Sequence, residues 1–294
     1  MKTITFYSEK GGVGKSSSAI MYASWLQQNH GLKVGVADFN MRISNYRQKE
    51  IHNRLKFIET NPDTGIQPFD EKNAWPIVNA WTRDINEYKE QGRVKPYASW
   101  FMDQIEKGEL KDLDVVICDF PGSLADGSFA DLISMRLIGL IVIPTERDEM
   151  TLCSTIKLHN MLAAYNANYC CFINKAQLGL QNFRKNYMAL ARRLVKLNVP
   201  MLPDMISYSD RMTTMNKVDI IRSTFGFPDF SKPEYAGVSD LGLENLFIDV
   251  TRLLSETADL TGTAPADLSF AAAMIKKDDK RHFSGSSYPQ FEIK

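Results

Sequence analysis

The stretch "SEKGGVGKSSS", Ser8–Ser18, decides how the chain is read. The apolar run before it, Thr3–Ser8, predicts a short strand. The segment after it, Lys15–Asn29, carries Ala19, Ile20, Ala23 and Leu26 at three- and four-residue spacing and predicts a helix stopped by Gly31. A glycine-rich turn between a strand and a helix, closed by Lys-Ser, is the setting of a phosphate-binding loop. The standard spacing is G-x-x-x-x-G-K-[ST]. Counted back from Gly14-Lys15-Ser16, it calls for glycine at position 9, where this chain has Glu9 followed by Lys10. Glycines let backbone N–H groups face an anion without side-chain obstruction, and a helix N-terminus adds partial positive charge. The nucleotide-binding candidates are therefore Gly11, Gly12, Val13, Gly14, Lys15, Ser16 and Ser17. Lys15 would neutralise phosphate oxygens and Ser16 would offer its hydroxyl to Mg2+.

Working outward, strand-like runs alternate with helix-length segments. Lys33–Asp38, Leu113–Asp119, Ile138–Ile143 (closed by Pro144) and Tyr169–Asn174 read as strands. Asp148–Tyr165, Gln181–Leu197 and Leu241–Leu254 read as helices. This order predicts an α/β fold: a mostly parallel twisted sheet with helices on both faces. Ligands in such folds sit at the carboxyl ends of the strands. The residues there are Ser8–Ser17, Asp38–Asn40, Asp119–Gly122, Pro144–Thr145 and Asn174–Lys175. Asp119 ends "VVICDFPG" and Asp38 ends "VGVADFN". With Ser16, these carboxylates are the Mg2+ candidates, Asp119 acting through a water.

Composition narrows the classes. The 294 residues are 44% hydrophobic and 24% charged with formal net charge zero, so any nucleic-acid contact needs a local patch rather than a global field. No apolar run reaches the roughly 18 residues of a membrane span, and the N-terminus lacks a signal-peptide core. Cys118, Cys153, Cys170 and Cys171 form no C-x-x-C pair and read as buried thiols of a reducing, cytoplasmic setting. Asn45–Glu109 carries Trp75, Trp81 and Trp100 and is expected to be helical in part, its tryptophans core-filling or a partner surface. Residues 1–275 read as a single domain carrying the phosphate loop and 276–294 as a loosely ordered tail.

The motifs together resemble the ParA/MinD family of deviant Walker A ATPases. "KGGVGKSS" is similar to the family's Walker A, "VGVADFN" stands at its D-x-D motif, "VVICDFPG" at its Walker B, and "IVIPTERDE" and "FINKA" at its later strands. The resemblance implies ATP and Mg2+, with Asn174 at the adenine. It also implies a homodimer with ATP sandwiched between subunits, in which Lys10 reaches the partner's nucleotide and stabilises the transferring phosphoryl group. Lys10, Lys15 and Asn40 are then the catalytic candidates. Asn40 departs from the family, which has an aspartate there to activate water. An amide can orient water but cannot accept its proton, so hydrolysis is expected to be slow.

Among the family's roles, nitrogenase-type iron proteins need cysteines placed for a cluster, and Cys118 and Cys170-Cys171 lie inside strands. Related tyrosine kinases carry a tyrosine-rich tail, whereas this one has only Tyr288. MinD-like proteins end in a basic membrane-binding helix, which Gly285 and Pro289 preclude here, so no membrane partner is expected. The segment Ala264–Lys277 reads as a helix packed on the body. A ParA-like role remains: nonspecific DNA binding by the ATP dimer, a ParB-like adaptor or other stimulating protein, nucleoid association, and positioning of plasmid DNA or other cargo. The DNA-binding candidates are Arg184, Lys185, Arg192, Arg193, Lys196, Arg211, Lys217 and Arg222, each also readable as part of a solvated face. The alternative is a nucleotide-gated interaction protein in which ATP acts as a dimer clamp.

Overall fold

The computed structural model describes residues 1–64, 68, 74–122, 127–176, 183–207, 243–260, 263 and 265–270. Seven strands pair in parallel in the order β3-β2-β4-β1-β5-β6-β7. They are β1 (Lys2–Phe6), β2 (Val34–Asp38), β3 (Ile77–Asn79), β4 (Val115–Asp119), β5 (Leu140–Thr145), β6 (Tyr169–Ala176) and β7 (Met201–Ser207). The described helices are α1 (Lys15–His30), α2 (Arg42–Thr60), α3 (Thr82–Glu90), α4 (Pro96–Glu106), α5 (Ser128–Ser134), α6 (Glu149–Ala164), α7 (Phe183–Lys196) and α8 (Leu243–Glu256).

Alternate residues of each strand serve opposite faces, as the pleat requires. Val115, Ile117, Leu140, Val142, Cys170 and Phe172 join α1 and α8 in one apolar layer. Val116, Cys118, Ile141, Ile143, Cys171 and Ile173 join α4, α5, α6 and α7 in the other. Both faces are thus covered, which explains strands that read as near-continuous apolar runs. Gly31 ends α1 in the left-handed conformation, its N–H donating to Gln27 O and the next N–H, of Leu32, to Leu26 O.

Two expectations are corrected. Pro144 does not close its strand, since β5 runs on through Thr145. Tyr7 N donates to Val142 O while Ile141 N donates to Asn168 O, so even-numbered β5 residues bond toward β1. β1 ends at Phe6, so the N–H that Pro144 lacks has no strand beside it to bond. Cys153 is exposed, whereas Cys118, Cys170 and Cys171 are buried. Trp75 and Trp100 fill the core, but Trp81 is 47% exposed. The expected tail at 276–294 lies outside the described residues, as does most of Ala264–Lys277.

Candidate functional site

The glycine loop leaves β1 and enters α1 at the carboxyl edge of the sheet. Asp38 of β2, Asp119 of β4, Thr145 of β5 and Asn174 of β6 stand along the same edge. Gly12 and Gly14 take φ values of +80° and +91°, in the left-handed region that an L side chain resists. Gly14 is constrained twice, because an added Cβ would lie 2.7 Å from Asn174 Nδ2. Gly122, just past β4, packs against the loop so closely that a Cβ there would lie 2.7 Å from Glu9 O and 3.4 Å from Lys15 Nζ.

Beneath the loop, the buried Ser16 hydroxyl donates to the Asp119 carboxylate at 3.0 and 2.9 Å from its two oxygens. Asn40 Nδ2 lies 3.5 Å from Asp119 Oδ2. Burial, then the Asp38 charge, pushes the Asp119 carboxyl up to about 7, against the bonds from Ser16 and Asn40 and the charge of Lys15. Asp38 is fully buried. Its Oδ1 accepts from Asn40 N at 3.0 Å, and its Oδ2 accepts from Ser44 N at 2.9 Å and Ser44 Oγ at 2.8 Å. Asp38 therefore ties the start of α2 and the Asn40 backbone to the sheet. Two buried carboxylates and a serine hydroxyl are hard oxygen donors beside a polyphosphate loop, and this set fits Mg2+. Among the described residues no group of three or more His, Cys, Asp or Glu converges to hold a metal ion unaided.

Lys15 Nζ donates to Lys10 O at 2.9 Å. Burial lowers its pKa, the Asp119 charge opposes that shift, and Arg42 at the first turn of α2 adds to it. Lys10 is partly exposed and pairs with Asp148 Oδ2 at 2.7 Å. Asp148 also caps α6, its Oδ1 accepting from Thr151 N at 3.0 Å. Burial alone would raise the Asp148 carboxyl, but the bonds from Lys10 and Thr151 outweigh it and bring the group down to about 2. Glu9 pairs with Lys157 of α6 at 3.2 Å.

The structure thus gathers Lys15, Ser16, Asp38, Asn40, Asp119 and Asn174 around one loop, with Lys10 at its rim. Arg192, Arg193 and Lys196 are exposed on α7, and Arg193 lies 3.4 Å from Glu149. The side chains of Arg184 and Lys185, and all of Arg211, Lys217 and Arg222, lie outside the described residues. The sequence placed Lys175 at a strand end without giving it a role, and did not single out Asp148, Glu146, Ser44 or Arg42 as site residues. One signal marks two of these places. Of the non-glycine residues at positive φ, Asp112, Asn166 and Asn198 are of types that tolerate it, whereas Met41, Arg136 and Lys175 are not; Arg136 follows α5 away from the site, while Met41 precedes Arg42 and Lys175 bonds the loop.

Over residues 1–182 the sequence matches the ParA family model, described as the NUBPL iron-transfer P-loop NTPase. The chain belongs to that family of ParA-type P-loop NTPases. Solved structures with the same fold include the MinD cell division protein of Aquifex aeolicus, at 15% identity and TM-score 0.53, covering 88% of this chain and 100% of that one. The Cyanothece McdA(D38A)–ATP complex matches at 15% identity and TM-score 0.55, over 88% of this chain and 98% of that one. A ParA family ATPase of Chlorobium tepidum TLS matches at 14% identity and TM-score 0.52, over 83% and 96%. No functionally curated protein matches the sequence. Among the described residues, no helix is long and apolar enough to cross a membrane.

Proposed function

We propose that this chain is a ParA-like ATPase that dimerises around ATP, binds DNA without sequence preference and partitions or positions plasmid DNA or another cargo. The observation that carries the reading is the buried Ser16–Asp119 pair under a glycine loop that has an added lysine, Lys10, partly exposed and paired with Asp148. Lys15 and the loop N–H groups bind the phosphates. Ser16 and, through water, Asp119 hold Mg2+, which supplies charge neutralisation at the phosphate oxygens. Asp38 fixes the Asn40 backbone, and the Asn40 amide orients the attacking water. Asn40 takes no proton, so turnover is slow.

Lys10 has a partner in the lone chain. To act on a second subunit's nucleotide it must exchange Asp148 for phosphate. ATP, with its third phosphoryl group, offers more charge for that exchange than ADP does. On α7, Arg192, Arg193 and Lys196 present cations at one surface and are the described part of the proposed DNA contact. Light scattering with ATP, ADP or neither, with and without DNA, tests the reading. A dimer only with ATP, associating with DNA in a manner that weakens steeply with salt, is expected. ATP-bound protein that ignores DNA, or binds it independently of salt, would remove the DNA role. A dimer without DNA affinity would leave the second reading, a nucleotide-gated interaction protein, which the absence of a carboxylate at Asn40 favours.

A further inference from the structure

Two successive side chains at the end of β6 grip two successive carbonyls of the glycine loop. Asn174 Nδ2 donates to Val13 O at 2.7 Å, and Lys175 Nζ donates to Gly12 O at 2.6 Å. In a trans peptide unit the C=O of one residue and the N–H of the next point in opposite directions. Drawing the Gly12 and Val13 carbonyls toward β6 therefore turns the Val13 and Gly14 N–H groups the other way. Consecutive N–H groups aimed to one side form a concavity for an anion.

The grip is itself held in place. Asn174 Oδ1 accepts from Lys175 N at 2.9 Å, which fixes the amide so that its nitrogen end must meet Val13 O. Lys175 adopts φ +54°, a conformation unfavourable for a lysine. Its ammonium also lies 2.7 Å from Oε1 of Glu146, the first residue after β5. A strained backbone and a charge spent on a loop carbonyl bring no core packing. They make sense as the fixing of a loop that must be shaped before its ligand arrives.

We propose that Asn174 and Lys175 are positioning residues: together they set the peptide planes of Gly12–Gly14 for a polyphosphate, and Glu146 holds the Lys175 ammonium for that task. The inference rests on the nucleotide-binding reading of the loop and adds to it what keeps the loop in shape. On this view Lys175 acts on the phosphate end of the ligand, through the backbone, and not on the base.

Titration calorimetry with ATP, and with tripolyphosphate, which has no base or sugar, tests this in the presence of Mg2+. Lys175→Met keeps the stem and removes the ammonium. It is expected to weaken both ligands by the same factor, on the order of tenfold for one lost charge-assisted bond. In ATPase assays most of the loss should fall in KM rather than kcat, and Lys175→Arg should recover part of it. Glu146→Gln leaves the lysine in place but unanchored, so it should shift both affinities the same way by less. It also carries the test if Lys175→Met does not fold. The proposal is overturned if the variants bind tripolyphosphate as tightly as the native chain does, whether or not ATP is weakened. If the native chain itself binds neither ligand, the nucleotide reading falls, and the inference with it.

Discussion

Asn40 places its amide where a carboxylate would complete a cluster of three, beside the buried Asp38 and Asp119. Burial and Asp38 already push the Asp119 carboxyl up to about 7. Asn40→Asp is therefore expected to divide the two things the site must do. Without Mg2+ the added charge should destabilise the chain by about 1–3 kcal/mol, seen as a lower Tm. With Mg2+ and ATP it should hydrolyse faster than the native protein. Equal rates would show that Asn40 does not limit turnover. At Gly14 the expectation is loss alone. Ala would need φ +91° and a methyl 2.7 Å from the Asn174 amide, so Gly14→Ala should lower Tm by the equivalent of about 1–3 kcal/mol. An unchanged Tm would mean the loop relaxes at no cost. Lys15, Ser16 and Asp119 were legible in the sequence because their types and spacing define a phosphate loop and a strand-end carboxylate. The role of Lys175, placed at a strand end, was not, nor were Glu146 and Asp148. Their partners come from other strands and turns, and the contacts exist only once the order of β1, β5 and β6 is set.

At the level of elements, the start of α6 shows how one carboxylate serves a helix and a loop. Asp148 caps the first turn and pairs with Lys10. Its pKa in the folded chain, about 2, is below the ordinary value of 3.8. A depressed carboxyl adds stability above its unfolded pKa and loses it as pH falls through the folded one. Asp148→Asn keeps a capping side chain but drops the charge. The native chain should be the more stable of the two above about pH 4, and the gap between their urea midpoints should close toward about pH 2. A gap that persists at pH 2 would assign the difference to packing rather than to the ion pair. The long apolar strands and α1, α6, α7 and α8 could be read from periodicity, with ends off by a residue or two. β3, three residues long, is too short to show a period. In β7, Pro203 interrupts the pattern, which an edge strand tolerates, and the β6–β7 register shifts nearby.

For the molecule as a whole, Lys2 links the first strand to the last described helix. Its buried ammonium donates to Ser255 O at 3.3 Å and to Thr257 O, at the C-terminal end of α8, and lies 3.4 Å from Asp259 Oδ2. A cation there meets the negative end of the helix dipole. Asp259→Ala would take the counter-ion from that ammonium and from the Met1 ammonium, which Asp259 Oδ1 meets at 3.0 Å, an expected joint loss of about 3 kcal/mol. Lys2→Met, which removes the charge but keeps the stem, should be milder. If the two Tm values fell equally, the carboxylate would not be what holds the lysine there. Net charge zero gave no view of which surface faces a partner, since charge placement depends on which helix covers which face. One long element leaves the body. α2 is 19 residues, about 28 Å, and beyond Ile51 most of its described residues are exposed. Its near end is bonded through Ser44 to the same Asp38 that borders the site. Among the described residues the rod is fastened at the edge that carries the site and is mostly exposed toward its other end. A tilt of about 5° at the fastening carries the tip roughly 2.5 Å, a displacement that a neighbouring molecule at that tip can register without approaching the nucleotide.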